Sequence, residues 1–343
     1  MLSRYRVKMT ILTLSRSLRG SLKTATAERI AFLTWVFRHT ELNDDVIFTI
    51  LDSFSFIRDL LHVDVVLTLG AEVPYLPHSR RHMNEKCLAR ANLTELHLWD
   101  ADFIGADLRE ATLLQVRLSY SKFVGALLSG VNFAFAQLRD ANFTNADLRG
   151  ANLEGANLSF ANFTNADLRG ANLSHTILWN ANFTGANLAG AKFSGVTFED
   201  TTLTGADFEG ADFEGATFTG SILERLNFKK ANFKNAYFRE CDLNCADLQQ
   251  ANLDGANLRW AGLALANLSR ASLQGADCTY ANLGSANFGG SNLRGTIFAE
   301  ADLEGAYFAG ADLAGADLTG AILTDADLTD VDLTDVDLSG IQP

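Results

Sequence analysis

The chain has 343 residues, of which 48% are hydrophobic, and this content excludes a disordered protein. No apolar run reaches the roughly 20 residues of a membrane-spanning helix, so no transmembrane segment is predicted. The net charge of −13 is uneven: residues 1–90 carry 13 basic and 9 acidic side chains, whereas residues 91–343 carry 15 and 32. Because such an acidic surface repels nucleic acid, we expect no direct binding of DNA or RNA.

The first 26 residues are basic and contain no acidic side chain. This composition resembles an organelle transit peptide, but a basic helix, or a true start at Met9 instead of Met1, also explains it. The four cysteines show no disulfide or zinc spacing, which suits a reducing compartment. We therefore expect a cytoplasmic protein, with organelle targeting through the basic segment as the alternative.

The rest of the N-terminal part predicts a small, mainly helical segment over residues 1–85. Residues 26–39 and 44–62 have the apolar spacing of helices, and residues 63–69 alternate like a strand. Gly70, Pro74 and Pro77 mark a linker near residues 70–80. We expect this segment to cap the open first turn of the domain that follows, because a bare sheet edge invites aggregation. Partner binding is the alternative role.

A period of five residues runs from Lys86 to Gly340. Every fifth residue from Leu88 onward, here called the centre, is Leu or Phe, except Cys278. Two residues earlier stands a small residue, usually Ala, so the 51 pentapeptides read A(N/D)(L/F)xx without insertion or deletion. This pattern fits a three-residue strand that points Ala and the centre inward and the intervening Asn or Asp (the outward position) to solvent, followed by a two-residue corner.

Phenylalanine recurs every 20 residues in one column, formed by Phe103, Phe123, Phe143, Phe163 and Phe183. Twenty residues are four pentapeptides, so the period predicts a coil with four faces per turn. We number the faces along the chain, so that Leu88 lies on the first face and Phe103 on the fourth. After residue 183 the column continues as Leu while Phe moves to other faces, which we interpret as a constant side-chain volume in each turn. Just under 13 turns at ~4.8 Å each predict a rod of about 60 Å.

The A(N/D)(L/F)xx pattern of residues 86–340 resembles the pentapeptide-repeat family. The resemblance implies an all-β domain, a right-handed quadrilateral parallel β-helix. The three prolines, at 74, 77 and 343, all lie outside the repeats. This agrees with a coil in which backbone N–H groups bond from turn to turn, because proline lacks that donor.

The repeats contain no arrangement that predicts catalysis. Asp is abundant, but it fills outward positions, where we expect polarity alone to be required. Asp147 and Asp167 share a column with Arg149 and Arg169 beside them, which predicts a ladder of salt bridges. The Cys241–Cys245 pair is interpreted as structural. We predict that the protein is not an enzyme and has no catalytic, cofactor-binding or metal-binding residues and no cofactor.

One face carries most of the outward aromatic residues. The third face, that of Leu98 and Leu178, holds seven of them: Trp99, Tyr120, Phe160, Trp179, Tyr237, Trp260 and Tyr280. The second corner residue after this face is Gly three times, against seven times after each of the first two faces. This aromatic face is a candidate partner-binding surface. The alternative is tolerance, in which a corner that does not need Gly accepts bulk.

These features predict a non-catalytic scaffold that presents the aromatic face of an acidic solenoid to another protein, whose identity the sequence does not give. The alternative is a DNA mimic at the DNA site of a type II topoisomerase such as gyrase, which the resemblance implies for family members of the quinolone-resistance type. Duplex DNA carries about one charge per 1.7 Å, or about 36 over 60 Å. Residues 91–343 have a net charge of only −17, and a belt of basic residues from Arg225 to Arg239 interrupts it.

Aspartates are crowded into the last turns, and they have two interpretations. They are Asp325, Asp327, Asp330, Asp332, Asp335 and Asp337. Such charges prevent end-to-end stacking of sheet edges. They also suit a docking pole or a dimer contact, so a homodimer through one end of the solenoid stays open.

Overall fold

The computed structural model describes residues 83–341, within the second of the two units into which the chain divides, Val73–Pro343. The predicted helices at 26–39 and 44–62 and the linker near 70–80 lie outside the described residues. Most of the predicted N-terminal segment, residues 1–85, also lies outside them. Those expectations remain predictions.

The described residues form a parallel β-solenoid. Between residues 83 and 341 there is no helix and no continuous strand; each pentapeptide contributes one bridging residue and a two-residue turn. Each bridge joins residue n to residue n+20 in parallel, from Cys87↔Asp107 to Asp317↔Asp337. The predicted stacking of n on n+20 is therefore confirmed, with single bridges in place of the expected three-residue strands.

Backbone hydrogen bonds hold successive turns together at two points on each face. The N–H of Phe143, at a centre, donates to the carbonyl of Asn162 at 2.7 Å. The N–H of Asn145, at the following corner, donates to the carbonyl of Thr164 at 3.0 Å. Because such bonds need a backbone donor in nearly every pentapeptide, the pattern explains why the repeats contain no proline.

The interior contains the alanines and the centres. The five phenylalanines of the fourth-face column are fully buried. Their rings stack in sequence with centroids 4.8–4.9 Å apart and planes within 6° of each other. The expectation of a constant volume per turn is wrong. One turn buries Phe208, Phe213 and Phe218, whereas the turn of residues 246–265 has four Leu centres.

The corners have the same backbone conformation throughout. The second corner residue has a φ between 52° and 72° in every pentapeptide from Glu85 to Gly340, whether or not it is Gly. The outward Asn or Asp braces this corner. In one repeat, Oδ1 of Asn142 accepts from the N–H of Thr144 at 3.0 Å and from its hydroxyl at 2.6 Å. The outward position thus does more than provide polarity: it caps a peptide donor that would otherwise be unpaired.

Candidate protein-binding face

The structure places all seven predicted aromatic residues on the third face. Six have side chains that are 42–52% exposed, and Phe160 is more deeply covered. Trp99 and Trp179 are first corner residues, and Tyr237 stands at an outward position. The remaining four are second corner residues: Tyr120, Phe160, Trp260 and Tyr280.

Six of the rings form three pairs, each joining adjacent turns. Trp99 and Tyr120 meet edge to face, with centroids 5.7 Å apart. Trp260 and Tyr280 stack at 4.3 Å, with planes 17° apart. The pair Phe160 and Trp179 meets edge to face at 4.8 Å. Packing of this kind limits ring motion, so the rings are partly ordered before any partner arrives.

Polar groups hold the central pair in place. The guanidinium carbon of Arg139 lies 4.8 Å from the centroid of the Phe160 ring, in cation–π geometry. On the other side, Nε1 of Trp179 donates to a carboxylate oxygen of Asp200 at 3.3 Å. Phe160 is covered because Arg139 and Trp179 both lie against it. Its predicted exposure is therefore only partial.

The conformation of the third-face corners bears on the tolerance interpretation. That interpretation needs a corner with a different backbone, but φ is 65° at Tyr120, 61° at Trp260 and 59° at Tyr280, close to the 63–72° of the Gly corners. A residue with a Cβ in this left-handed region costs roughly 1–2 kcal/mol relative to an ordinary conformation. Bulky residues therefore stand on this face in spite of a backbone that favours Gly.

Sequence reasoning missed two aliphatic members of the same face. Ile177 is 54% exposed and Ile297 is 37% exposed, both at outward positions where Asn or Asp is usual. The departure from Asn or Asp was the available signal. Large apolar residues also occur elsewhere, with Phe135 on the second face, Tyr307 on the first, and Ile222 and Leu265 on the fourth.

The groups that suggested chemistry have structural surroundings. Arg149 bonds Asp147 at 2.7 Å and lies 3.7 Å from Asp167, as the predicted ladder requires. The hydrogen bond from Arg149 holds the pKa of Asp147 below its usual range. Burial raises the pKa of the Cys241 thiol to about 12. Among residues 83–341, no three His, Cys, Asp or Glu side chains are grouped to hold a metal ion, and no helix there could span a bilayer.

Comparisons with known proteins identify the repeat. The family model for pentapeptide repeats matches residues 87–123, 115–150, 141–180, 181–220, 221–259, 261–299 and 301–340. No curated protein matches the chain.

Solved structures of repeat proteins are also similar. HetL, a pentapeptide repeat protein involved in heterocyst differentiation regulation from the cyanobacterium Nostoc sp. strain PCC 7120, is 35% identical, and the match covers 66% of this chain and 89% of HetL with a TM-score of 0.29. Full-length QnrB1, a plasmid-mediated fluoroquinolone resistance protein, is 22% identical over 64% of this chain and 85% of its own, with a TM-score of 0.20. A pentapeptide repeat protein from the Arabidopsis thaliana thylakoid lumen is 30% identical. The match covers 36% of this chain and 68% of that protein, with a TM-score of 0.19.

Proposed function

The chain belongs to the pentapeptide-repeat family, and we propose that it is a non-catalytic scaffold that binds a partner protein through its aromatic face. Family membership implies a right-handed β-helix, which 51 pentapeptides would extend to just under 13 turns. The observation that carries the proposal is the collection of half-exposed Trp and Tyr rings on one face of a repeat whose other faces have few. Trp, Tyr and Arg are the residues that most often dominate protein interfaces.

The dimensions of the face support a protein partner over a small molecule. Trp99 and Tyr280 lie nine turns apart, or about 43 Å at ~4.8 Å per turn. A surface of this length suits the roughly 800 Å² per partner of an ordinary interface. The rings are separated along it into three pairs and Tyr237, so the partner we propose is extended or has several apolar contact points.

The charge distribution favours a scaffold over a DNA mimic. A mimic needs carboxylates that stand uncompensated, as phosphates do. Here Asp107, Asp147 and Asp167 each form a 2.7 Å ion pair with the arginine two residues later. The arginines of these pairs are among the 15 basic residues that leave residues 91–343 with a net charge of −17, about half the DNA value over the same length.

Affinity capture tests the proposal with two matched double variants. Trp179→Ala with Trp260→Ala removes rings from the aromatic face. Phe135→Ala with Tyr307→Ala removes rings of comparable exposure, 52% and 44%, from other faces. We expect the first variant to bind the partner found by cross-linked capture at least tenfold more weakly, because buried interface tryptophans are commonly worth ~2 kcal/mol or more each.

The control variant should bind as the wild type does. Equal loss in both variants, or no loss in either, would contradict an aromatic binding face. Tm measured for all three proteins separates binding from unfolding. In parallel, the purified protein should leave gyrase supercoiling unchanged, whereas inhibition would favour the DNA-mimic alternative.

A further inference from the structure

Two carboxylates in the middle of the aromatic face have no basic neighbour to neutralise them. Elsewhere on this face ion pairs join Arg139 to Asp140 at 3.2 Å, Arg239 to Glu240 at 3.0 Å and Arg259 to Asp277 at 3.1 Å. Glu199 and Asp200, which stand along the face between Trp179 and Tyr237, form no ion pair with any residue from 83 to 341. Both are exposed, so together they place an uncompensated negative charge between the aromatic rings.

These two carboxylates line an open groove where the third face turns into the fourth. The groove has a volume of about 570 Å³, which lies within the roughly 300–1,000 Å³ of ligand-binding clefts. Thr201, Thr219 and Ile222 also line it. The negative charge therefore belongs to a concave site with defined walls, and not only to a charged patch.

The groove contains a backbone acceptor that neighbouring turns use and this one does not. In the same column, the carbonyl of Glu199 accepts from the N–H of Asn180 at 3.3 Å, and that of Arg239 accepts from Gly220 at 3.1 Å. The carbonyl of Thr219, between them, receives no backbone hydrogen bond from residues 83–341. Its oxygen is available to a donor that enters the groove.

Backbone donors are present in the groove as well, but they do not set its charge. The N–H groups of Asp200 and Thr201 donate no backbone hydrogen bond within residues 83–341. An amide is neutral, whereas each carboxylate carries a full charge near neutral pH. The groove is therefore negative, and a cationic ligand suits it better than an anion does.

The groove is continuous with the aromatic face and has one apolar wall. Nε1 of Trp179 donates to a carboxylate oxygen of Asp200 at 3.3 Å, so a ligand at Asp200 lies next to that indole. Ile222, which is 76% exposed, gives the lining a large apolar side chain. Long basic side chains bind in such surroundings, because an apolar surface covers the aliphatic stem while the charged head stays with polar groups.

We propose that this groove receives a lysine or arginine side chain of the partner protein. An ammonium or guanidinium head has donors and a positive charge but no acceptor, so it complements both carboxylates and the Thr219 carbonyl. The side chain enters from solvent, so the turns stay joined by the bridges Thr197↔Thr217 and Asp207↔Asn227. This inference rests on the proposed scaffold function and names the chemistry of its partner.

Small probes test the groove in the full chain. The probes are N-acetyl-arginine amide and N-acetyl-lysine amide, and the neutral control is N-acetyl-citrulline amide, which keeps the shape of arginine without its charge. At least one basic probe should shift the NMR signals of the Trp179 indole and the Thr219 and Ile222 amides saturably, and at least tenfold more tightly than citrulline. The indole signals of Trp99 and Trp260 should stay in place, because those rings are turns away from the groove.

A pair of charge variants provides the second arm. Glu199→Gln with Asp200→Asn keeps an oxygen for the Trp179 indole but removes the charge, and should weaken probe binding at least tenfold. The matched control, Glu214→Gln with Glu304→Gln, removes the same charge from exposed corner residues of the second and fourth faces and should bind within twofold of the wild type. Tm measured for each variant separates loss of binding from unfolding.

The absence of a saturable shift with both basic probes would overturn the inference. So would equal binding of citrulline, equal loss in the control variant, displacement of the probe by an equal concentration of Ca²⁺, or partner capture that Glu199→Gln with Asp200→Asn leaves unchanged. The probe measurements need no partner, and the charge variant retains Trp179 and Trp260. Failure of the probes therefore leaves the capture test of the aromatic face standing.

Discussion

Replacing Gly155 by alanine tests how the outward side chain of one turn rests on the next turn. Gly155 is a second corner residue with φ +63°, and an added Cβ would lie 2.5 Å from Cδ1 and Cε1 of Phe135, the corner residue one turn earlier. Gly150 provides the matched control. It has φ +64° and nothing within 4 Å of an added Cβ.

The structure gives the size of the difference between the two variants. Both substitutions place a Cβ in the left-handed region, at roughly 1–2 kcal/mol each. Gly155→Ala must in addition displace the ring of Phe135, which is 52% exposed. About half of a phenylalanine's ~200 Å² is then lost from contact, or up to about 2 kcal/mol at ~25 cal/mol/Å². We expect Gly155→Ala to destabilise the protein by about 1–2 kcal/mol more than Gly150→Ala.

Urea unfolding followed by circular dichroism measures the free energies of unfolding. Making both glycine substitutions in a Phe135→Ala background as well completes a double-mutant cycle. In that background the two glycine variants should become equal. Equal destabilisation in the wild-type background, or a difference that survives removal of Phe135, would refute the proposed contact. The result matters for function because Tyr120 and Trp260 are followed one turn later by Asp140 and Tyr280, not by Gly, so their rings cannot lie across the next corner in this way.

Two further predictions follow from buried and paired side chains. At pH 8 a maleimide should label the exposed Cys87 in the native protein but should label Cys241 and Cys278 only after unfolding. Both of these thiols are buried, and burial raises their pKa. Labelling of Cys278 in the native protein would contradict its position inside the coil. Hydrogen bonds from Arg149 and Arg169 lower the pKa of Asp147 and Asp167, so their contribution to stability should be present above the ordinary carboxyl pKa of 3.8 and be lost as the pH falls through the lowered values. The Asp147→Asn, Asp167→Asn variant should thus melt slightly below the wild type at pH 7, and the difference in Tm should shrink as the pH falls below 3.8. A difference that widens in acid would contradict this sign.

The sequence predicts the interior of the solenoid better than its surface. The spacing of the phenylalanines that include Phe103 and Phe143 identifies the four faces, because the same kind of inward side chain stacks in one column over several consecutive turns. The caps, such as Asn142 to Thr144, could not be predicted from polarity alone, since they depend on the angle at which a corner turns. The depth of Phe160 likewise depends on the rotamers of Arg139 and Trp179, which no repeat period encodes.

One pair, Thr202↔Ile222, is missing from the series of n↔n+20 bridges between Cys87 and Asp337, and its signal can be recognised in the sequence only when the role of the caps is known. An isolated outward position without Asn or Asp, such as Ile297, leaves the ladder closed. The missing bridge lies where uncapped outward positions occupy two adjacent faces in two consecutive turns, at Thr197, Thr202, Thr217 and Ile222. Neither the period nor the composition shows this coincidence.

The uniformity of the corners is the strongest argument for a function on the third face. Every second corner residue has the same left-handed backbone, so every face favours Gly there to the same degree. Structure alone would then distribute Gly and bulky residues evenly around the tube. On the third face, Gly gives way to rings at Tyr120, Trp260 and Tyr280, and the capping residues give way at Ile177 and Tyr237. The third face departs from both stabilising rules more often than any other face, and this departure is the support for the proposed contact with a partner.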